Sequence, residues 1–355
     1  MSVNVVAALH GVRDVRLETR QMPTPGEREV VVEVRCVGVC GSDVHYYEHG
    51  RIGEFVVEAP LVLGHEAAGV VVDQGPRATR HALGRRVALE PGVPCGRCVE
   101  CRSGRYNLCG DVRFFATPPI DGAFARYVTI HEDYAFALPD TLSDEAGALL
   151  EPLAVAVWAC RKGRVEAGDR VLVTGAGPIG NLVAQVASAA GATTVVVADV
   201  NRARLARVAG VGATGTLDLG SRQLAPGDAP FDVLLECTGD EELLAAAIGT
   251  LRPAGTAVAV GMGPGLHARL PLALMQSREI TLVGTFRYAN AYAAAIALAA
   301  TGRVDLDGLV DARFPLEETD RALRATHEDP SLLKVVVVPD STDRGPSGTA
   351  FRQPG

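Results

Sequence analysis

Four cysteines between positions 95 and 109 form the densest cluster of metal-ligating side chains in the sequence. Cys95, Cys98, Cys101 and Cys109 follow the spacing C-x2-C-x2-C-x7-C in a segment rich in Gly, Pro and Arg. Four thiolates close a tetrahedral shell around one Zn²⁺ and leave no open position, which is typical of a structural site. The spacing predicts a structural zinc in a lobe at 92–112; unrelated buried thiols or an iron–sulfur cluster are the alternatives.

A second set of potential metal ligands is spread over the first half of the chain. It consists of Cys40, His65, Glu66 and Glu151, within the strings CGSDVH at 40–45, GHEAAG at 64–69 and EPL at 151–153. One thiolate, one imidazole and carboxylates form the ligand set of a zinc ion with an exchangeable position, the catalytic type. Because these residues are far apart in sequence, spacing alone leaves open that each has an ordinary structural role.

A G-x-G-x-x-G motif, GAGPIG at 175–180, lies between a predicted strand at 170–174 and a predicted helix. In such a motif Gly175 permits the tight turn, Gly177 lets the backbone approach a pyrophosphate, and Gly180 permits close packing of helix and strand. The helix N-terminus then faces negative charge. We predict that Gly175, Gly177, Ile179 and Gly180 bind a dinucleotide; a plain glycine turn is the alternative.

Asp199 stands 19 residues after Gly180, at the end of the next predicted strand. A carboxylate in this position accepts hydrogen bonds from an adenosine ribose and repels a 2′-phosphate, so we expect NAD⁺ to be preferred over NADP⁺. Arg202 and Arg204 follow closely and would soften that preference. Arg204 is included among the predicted cofactor-binding residues.

The pattern of predicted elements changes near position 168. Before it, short β-type runs such as 30–34, 70–73 and 86–90 are separated by Gly and Pro, which indicates an irregular, mostly β domain. After it, strand-like runs alternate with Ala-rich helical stretches, which indicates a parallel sheet covered by helices. The predicted strands of this second part are 170–174, 195–199, 232–237, 256–261 and 280–284, followed by a helix from 288 to 302 and a strand at 333–338.

Composition excludes several classes of partner. The chain has 355 residues with 34 Lys+Arg against 42 Asp+Glu, a formal net charge of −8, and 48% hydrophobic residues. An acidic chain without a dense basic run is not expected to bind nucleic acid or an anionic membrane surface. No apolar run is long enough for a spanning helix, and the charged first 20 residues do not resemble a signal peptide. We expect a cytoplasmic protein of about two domains with reduced thiols.

The motifs together, in their order along the chain, resemble the zinc-dependent medium-chain dehydrogenase/reductase superfamily. The match includes the GHEAAG string, the four-cysteine lobe and the G-x-G-x-x-G motif, and it covers nearly the whole chain apart from the tail. Longer strings resemble the polyol branch of that superfamily, which contains sorbitol (L-iditol), xylitol and arabinitol dehydrogenases. These strings are VGVCGSDVHYYEHGRIGEF at 37–55, Phe114, ATPP at 116–119 and GTFRY at 284–288.

The resemblance implies an α/β fold in which a doubly wound Rossmann sheet is combined with a β-rich, GroES-like catalytic domain. The catalytic domain is expected at 1–153 and 291–340, the NAD-binding domain at 154–290 and a flexible tail at 341–355. It also implies two zinc ions per chain, one catalytic and one structural. The family is commonly tetrameric or dimeric, so a homotetramer or homodimer is expected.

The resemblance also implies roles for individual residues near the catalytic zinc. Cys40, His65 and Glu66 would hold the metal, and Glu151 would reach it directly or through a water molecule. Asp43 would orient His65 by a hydrogen bond to the ring nitrogen that faces away from the metal. Ser42 would bind the substrate hydroxyl and His45 would relay its proton. The residues expected to line the polyol pocket are Ser42, Tyr46, Phe55, Phe114, Thr117, Arg287 and Tyr288.

These roles imply NAD⁺-dependent oxidation of a secondary hydroxyl of a sugar alcohol to the ketose. A cyclitol, an aminocyclitol, L-threonine or a butanediol is the alternative substrate for the same residues, and a non-catalytic cofactor-binding protein is the alternative of another class. Animal sorbitol dehydrogenases lack the four-cysteine lobe, which this chain keeps complete. We therefore expect the chain to be nearer to the microbial forms.

Overall fold

Two large sheets organise the residues that this computed structural model describes, namely 3–224, 230–263 and 267–339. Most of their strands are apolar runs of four to ten residues. The strands within these residues are β1 (Val3–Gly11), β2 (Asp14–Gln21), β3 (Glu29–Gly38), β4 (Arg51–Ile52), β5 (Phe55–Val56), β6 (Leu61–Val62), β7 (Glu66–Gln74), β8 (Arg86–Leu89), β9 (Gly92–Val93), β10 (Arg113–Phe114), β11 (Tyr127–His131), β12 (Ala135–Ala137), β13 (Arg170–Thr174), β14 (Thr194–Asp199), β15 (Gly215–Asp218), β16 (Phe231–Glu236), β17 (Leu251–Ala259), β18 (Thr281–Gly284), β19 (Val310–Pro315) and β20 (Lys334–Val338).

The helices cover the second sheet and connect the strands of both. The α-helices of the described residues are α1 (Gly41–His49), α2 (Val99–Arg102), α3 (Asp144–Ala148), α4 (Leu150–Gly163), α5 (Pro178–Ala189), α6 (Arg202–Val208), α7 (Glu241–Ile248), α8 (Leu272–Ser277), α9 (Tyr292–Ala300) and α10 (Thr319–Glu328). Short 3₁₀ turns occur at Tyr106–Leu108, Glu132–Tyr134, Asp307–Leu309 and Leu316–Glu318. Within the described ranges, no helix is long and apolar enough to cross a membrane.

The second sheet is parallel throughout and has the strand order β15-β14-β13-β16-β17-β18. Counted from β13, this is the order 3-2-1-4-5-6 of the Rossmann dinucleotide fold, as predicted. Helices on both faces bury its central strands, which explains why β13, β14 and β16 are continuous apolar runs rather than alternating ones. The dinucleotide site of such a sheet lies at the carboxyl ends of β13 and β14.

The first sheet is mixed and carries the chemistry-bearing ends of three strands. Its order is β12-β8-β7-β3-β20-β19, with β11 also paired to β3. In its register Gly38 pairs with both Glu66 and Val336, so the end of β3, the start of β7 and the start of β20 lie side by side. The C-terminal strands β19 and β20 therefore complete the sheet of the N-terminal region.

Several element boundaries differ from those predicted. The helix expected from 288 begins only at Tyr292, because Arg287 and Asn290 have φ angles of 51° and 54°, in the left-handed region that no α-helix contains. Strand β17 begins at Leu251, five residues before its predicted start. The predicted domain boundary at 153 lies inside α4, and the boundaries themselves stay a prediction. The predicted tail at 341–355 lies outside the described residues.

Candidate active site and zinc sites

The four-cysteine lobe brings its predicted ligands together. Cys98 caps the N-terminus of α2, Cys101 lies within that helix, and Cys109 follows the 3₁₀ turn Tyr106–Leu108. The four sulfur atoms lie within 4.8 Å of one another, with Cys98 Sγ 3.3 Å and Cys95 Sγ 4.0 Å from Cys101 Sγ. Thiolates bound to one tetrahedral zinc at about 2.3 Å would be roughly 3.8 Å apart. The donor set and its spacing fit a closed zinc shell.

The second candidate metal site forms where β3, α1 and β7 meet. Cys40 is the N-cap residue of α1, and His65 and Glu66 lie at the start of β7. One donor atom from each of these three residues lies within 4.8 Å of the other two. Both His65 and Glu66 are buried, whereas Cys40 is partly accessible. Three donors with one accessible side fit a zinc ion that keeps a position open for substrate.

Asp43 is fully buried behind this cluster and holds two backbone segments. Its Oδ2 accepts a hydrogen bond from the Cys40 N–H at 3.0 Å, and its Oδ1 accepts one from the Gly64 N–H at 2.8 Å. The His65 Nδ1 lies 3.6 Å from Oδ1, which is too long for the predicted hydrogen bond. Burial lowers the pKa of His65, but the charge of Asp43 and the Cys40 thiol outweigh it and raise the pKa above its ordinary value.

Lys334 is a buried partner of Glu66 that the sequence analysis did not identify. Its Nζ donates to both carboxylate oxygens of Glu66, at 2.8 and 2.7 Å, and to the Val39 carbonyl at 3.0 Å. The two side chains are 3% and 1% exposed. Burial lowers the pKa of Lys334, but the charge of Glu66 and the Cys40 thiol raise it above its ordinary value. The signal in the sequence is a lysine at the start of the apolar run KVVVV.

Glu151 lies at the start of α4, buried beside this cluster. It is not one of the three residues whose donor atoms lie within 4.8 Å of one another, which favours contact with the metal through water. Burial and the nearby charge of Glu66 raise the pKa of Glu151 to about 7. The buried hydroxyl of Tyr288, which interacts electrostatically with Glu151, has no hydrogen-bond partner among the described residues. The Tyr288 hydroxyl is therefore available to a water molecule or a substrate hydroxyl beside the Glu151 carboxyl group.

A pocket wall of aromatic and cationic side chains lies next to the metal ligands. The Phe114 ring is 5.8 Å from the His65 ring, and the guanidinium carbon of Arg287 lies 3.8 Å above the centre of the Phe114 ring. The Arg287 Nη2 is 3.5 Å from the Thr117 hydroxyl oxygen. Tyr46 is buried nearby, and burial raises its pKa to about 12. Four of the predicted pocket residues are thus brought together.

Three predicted residues form no described hydrogen bond or ring contact with that group. Phe55 is 43% exposed on the hairpin of β4 and β5, and no hydrogen bond or ring contact among the described residues joins it to the pocket. Ser42 is half-buried in the first turn of α1, and His45 is exposed one turn later, with its ring 5.7 Å from that of His49. No hydrogen bond between Ser42 and His45 is formed within the described part of the chain.

The glycine-rich turn has the geometry expected of a dinucleotide site. Gly175 has a φ of 91°, and a Cβ on Gly180 would lie only 1.8 Å from the Gly175 carbonyl oxygen. A Cβ on Gly177 would meet only the Arg204 Nη1, at 3.7 Å, so the backbone there is open to a ligand. The buried Nε of Arg204 has no hydrogen-bond partner among the described residues. Ile179 is half-buried and packs against the core.

Asp199 is held rigidly at the end of β14. Its Oδ2 accepts from the Ala176 N–H at 2.6 Å and its Oδ1 from the Asn201 N–H at 2.7 Å. Arg202, which was expected to soften the preference for NAD⁺, is instead paired with Asp218 at 2.6 Å. The site therefore presents a fixed negative charge where a ribose 2′-phosphate would bind.

We expect Asp199→Ala to raise the ratio of kcat/KM with NADP⁺ to kcat/KM with NAD⁺ by about tenfold or more, because it removes the charge that repels the 2′-phosphate. Steady-state kinetics with both cofactors measures this ratio. Asp232→Ala is the matched control, since it removes a carboxylate near the amino end of β16. An unchanged ratio in Asp199→Ala would show that Asp199 does not contact the ribose.

Two protein families match separate parts of this chain. The Alcohol dehydrogenase GroES-like domain family matches residues 26–140, and the Zinc-binding dehydrogenase family matches residues 178–301. Sorbitol dehydrogenase of Rattus norvegicus is 42% identical over 352 residues, which cover 97% of this chain and 98% of the relative. Sorbitol dehydrogenase of Bacillus subtilis is 39% identical over 341 residues, covering 94% of this chain and 97% of the relative.

A solved dehydrogenase structure has the same fold as this chain. The crystal structure of 2R,3R-butanediol dehydrogenase from Bacillus subtilis superposes with a TM-score of 0.87 at 31% identity, covering 95% of this chain and 100% of that chain.

Of the two sorbitol dehydrogenases, the rat protein has the higher identity, at 42% against 39%. Overall identity therefore does not support the expectation, based on the four-cysteine lobe, that the chain is nearer to the microbial forms.

Proposed function

This chain belongs to the zinc-dependent medium-chain dehydrogenase/reductase superfamily, and on that premise we propose that it oxidises a secondary hydroxyl of a sugar alcohol to the ketose with NAD⁺. The observation that carries the choice of a polyol is Arg287, held 3.8 Å above Phe114 beside His65. A guanidinium presents several hydrogen-bond donors in a fixed plane, which suits the neighbouring hydroxyls of a polyol. A simple alcohol has no neighbouring hydroxyl for these donors to bind.

The residues of the site divide the chemical work between them. Zinc bound by Cys40, His65 and Glu66 would supply a Lewis acid that lowers the pKa of the substrate hydroxyl, and NAD⁺ would accept the hydride. We assign Ser42 the role of relaying the hydroxyl proton: its oxygen accepts that proton while its own hydroxyl proton leaves to a water molecule between Ser42 and His45. His45, exposed three residues later on the same face of α1, passes that proton to solvent.

The pocket residues exclude water and fix the substrate. Phe114 and Tyr46 form an apolar wall next to the metal ligands, and Arg287 donates hydrogen bonds to hydroxyls flanking the reacting carbon. Tyr288 supplies a hydroxyl group that has no hydrogen-bond partner among the described residues, and Glu151 supplies a carboxyl group close to it. This arrangement would fix the reacting carbon of the substrate, so that NAD⁺ could accept its hydride at a favourable distance and angle.

The proposal is tested with purified enzyme and a substrate panel, by following NADH formation. We expect xylitol and sorbitol to give kcat/KM values about tenfold or more above those of 2,3-butanediol, L-threonine and an inositol. Arg287→Met is expected to lower kcat/KM for the polyols by about 10²-fold, with a much smaller change for 2-butanol, because lost charged hydrogen bonds cost about 1.5–3 kcal/mol. Turnover of an aminocyclitol with none of xylitol or sorbitol would refute the assignment.

Butanediol oxidation is the second candidate, since a butanediol dehydrogenase shares the fold at 31% identity. That substrate carries a single neighbouring hydroxyl, so it would need Arg287 less. The same Arg287→Met variant therefore separates the two candidates: a large loss is expected only for a substrate that Arg287 binds. If 2,3-butanediol is the best substrate of the panel, the second candidate replaces the first.

We also propose a dimeric or tetrameric assembly in a reducing, cytoplasmic environment. Strand β18 is the edge of the parallel sheet. Leu282 on this strand is 36% exposed, and Phe286, two residues after its end, is 40% exposed. An apolar edge strand favours pairing with a second copy. Light scattering in solution measures the mass of the assembly. The eight cysteines are unpaired in the structure, which supports a compartment that keeps thiols reduced.

A further inference from the structure

The four-cysteine lobe contacts the segment that carries the substrate-binding residues Arg287 and Tyr288. Asn107, buried in the lobe, donates from Nδ2 to the Phe286 carbonyl at 2.8 Å. Asn290 Nδ2 donates to the Gly104 carbonyl at 2.9 Å. The segment 286–290 is thus bonded to the lobe on both sides of the two pocket residues.

Tyr106 links the lobe to both the catalytic domain and this segment through one hydroxyl group. Its hydroxyl donates to the Glu90 Oε1 at 2.7 Å and accepts a hydrogen bond from the Asn290 N–H at 2.8 Å. Glu90 directly follows β8 and is buried. The bond from the Tyr106 hydroxyl is the one side-chain hydrogen bond described for its carboxyl group. Tyr106 also starts the 3₁₀ turn that leads to Cys109, whose N–H donates to the Tyr106 carbonyl at 3.1 Å. Metal binding by Cys109 would therefore fix the position of the Tyr106 ring.

The segment needs such support because its backbone is strained. Arg287 and Asn290 are non-glycine residues in the left-handed region, with φ angles of 51° and 54°. For Arg287 this conformation costs about 1 kcal/mol or more and persists only where surrounding contacts hold it, whereas an asparagine adopts it more readily. Besides the lobe, Arg161 at the end of α4 donates to the Asn290 carbonyl at 2.8 Å. The described hydrogen bonds from this segment to the lobe are those of the Tyr106 hydroxyl with the Asn290 N–H, of Asn107 with the Phe286 carbonyl, and of the Asn290 side chain with the Gly104 carbonyl.

The lobe and the pocket also share a cavity. Its lining includes Glu90, Tyr106 and Asn107 from the lobe side and Phe114, Arg287 and Tyr288 from the pocket side. Because both sets of side chains line this one cavity, a shift of the Tyr106 ring would leave room for Arg287 to move off the Phe114 ring. Packing in a protein interior transmits such a shift directly.

We infer that the four-cysteine lobe sets the affinity of the pocket for polyols, with Tyr106 and Asn107 as positioning residues that hold Arg287 and Tyr288 in place. The inference rests on the proposed function, since it assigns the lobe a part in binding the same substrate. A zinc held by the four cysteines would then have a role beyond stability, because it would fix the turn from which these two side chains reach 286–290.

The test is Tyr106→Phe, which removes the hydroxyl and keeps the ring. We expect KM for the best polyol to rise about tenfold, while kcat, KM for NAD⁺ and zinc content stay within about twofold. KM for 2-butanol, which does not use Arg287, is expected to change less than twofold. Tyr134→Phe is the matched control, because that ring packs edge-on against Tyr106 at 6.3 Å but has no described bond to 286–290. Asn107→Ala is expected to reproduce the effect.

A second readout does not depend on any substrate. Hydrogen exchange of the zinc-loaded enzyme is expected to show faster exchange of the Asn290 amide in Tyr106→Phe, by about tenfold, and no change in Tyr134→Phe. If the wild-type enzyme oxidises no polyol, the proposed function fails, while the exchange result still reports on the lobe contact. Unchanged exchange, faster exchange with an unchanged polyol KM, or equal KM increases for polyol and 2-butanol would each overturn the inference.

Discussion

Cys40→Ala is expected to lose the catalytic zinc and to lower kcat/KM by about 10³-fold or more, while the zinc of the four-cysteine lobe remains. Cys40 supplies the only thiolate of a three-residue donor set whose atoms lie within 4.8 Å of one another. Without it His65 and Glu66 leave the ion with two protein ligands, too few for tight binding. The lost Lewis acid is worth several kcal/mol of transition-state stabilisation, which corresponds to about three factors of ten in rate.

Metal analysis and kinetics of the purified variant measure both effects. The zinc content is expected to fall from two ions per chain to one. Cys36→Ala is the matched control: Cys36 lies on β3, four residues before Cys40, is 1% exposed and belongs to neither metal cluster. It should keep two zinc ions and its activity within about threefold. If Cys40→Ala retained two zinc ions, the site built from Cys40, His65 and Glu66 would be wrong.

Local sequence patterns predicted the parts of the molecule whose residues are close together in the chain. The four cysteines span fifteen residues, and a short loop with one helical turn is enough to bring their sulfur atoms together. The glycine turn is likewise contained in the junction of β13 and α5. The parallel sheet covered by helices was predicted from the alternation of apolar runs and helices, because parallel strands require such crossovers. Its Rossmann form was implied by the family resemblance.

The catalytic cluster could not be predicted from spacing, because its members come together only through sheet pairing. Cys40 follows β3 and Glu66 begins β7, and their proximity depends on the register that places Gly38 opposite Glu66. The resemblance to a family, rather than any local pattern, identified this set. Phe55 shows the limit of that resemblance: the string that contains it matches the polyol branch, yet its side chain is 43% exposed.

Lys334 was missed because nothing near it in sequence indicates a partner. It lies 268 positions after Glu66 and reaches it only because β20 pairs with the end of β3. The sequence does carry a physical hint. A lysine within an apolar strand must be paired or neutral if it is buried, so it implies an acidic partner on an adjacent strand. The chain contains only one other lysine, Lys162, at the end of α4.

Lys334→Met is expected to lower the free energy of unfolding by about 3–5 kcal/mol. The substitution keeps most of the side-chain volume but leaves the Glu66 carboxylate, 1% exposed, without the ammonium that binds both of its oxygens. Removing one partner of a buried ion pair is costly because the remaining charge has lost both its water and its counter-ion. Denaturant unfolding measures the loss in enzyme from which a chelator has removed the catalytic zinc, so that Glu66 has no metal counter-ion and all variants are compared in the same metal state.

Two further variants separate the buried pair from charge in general. Arg77→Met breaks an exposed pair with Glu27, whose side chains are 72% and 67% exposed, and is expected to cost less than about 1 kcal/mol. Glu66→Gln added to Lys334→Met removes the unpaired charge and is expected to recover much of the lost stability. If Lys334→Met is as stable as the wild type, or the double variant is no more stable than Lys334→Met, then Lys334 does not neutralise Glu66.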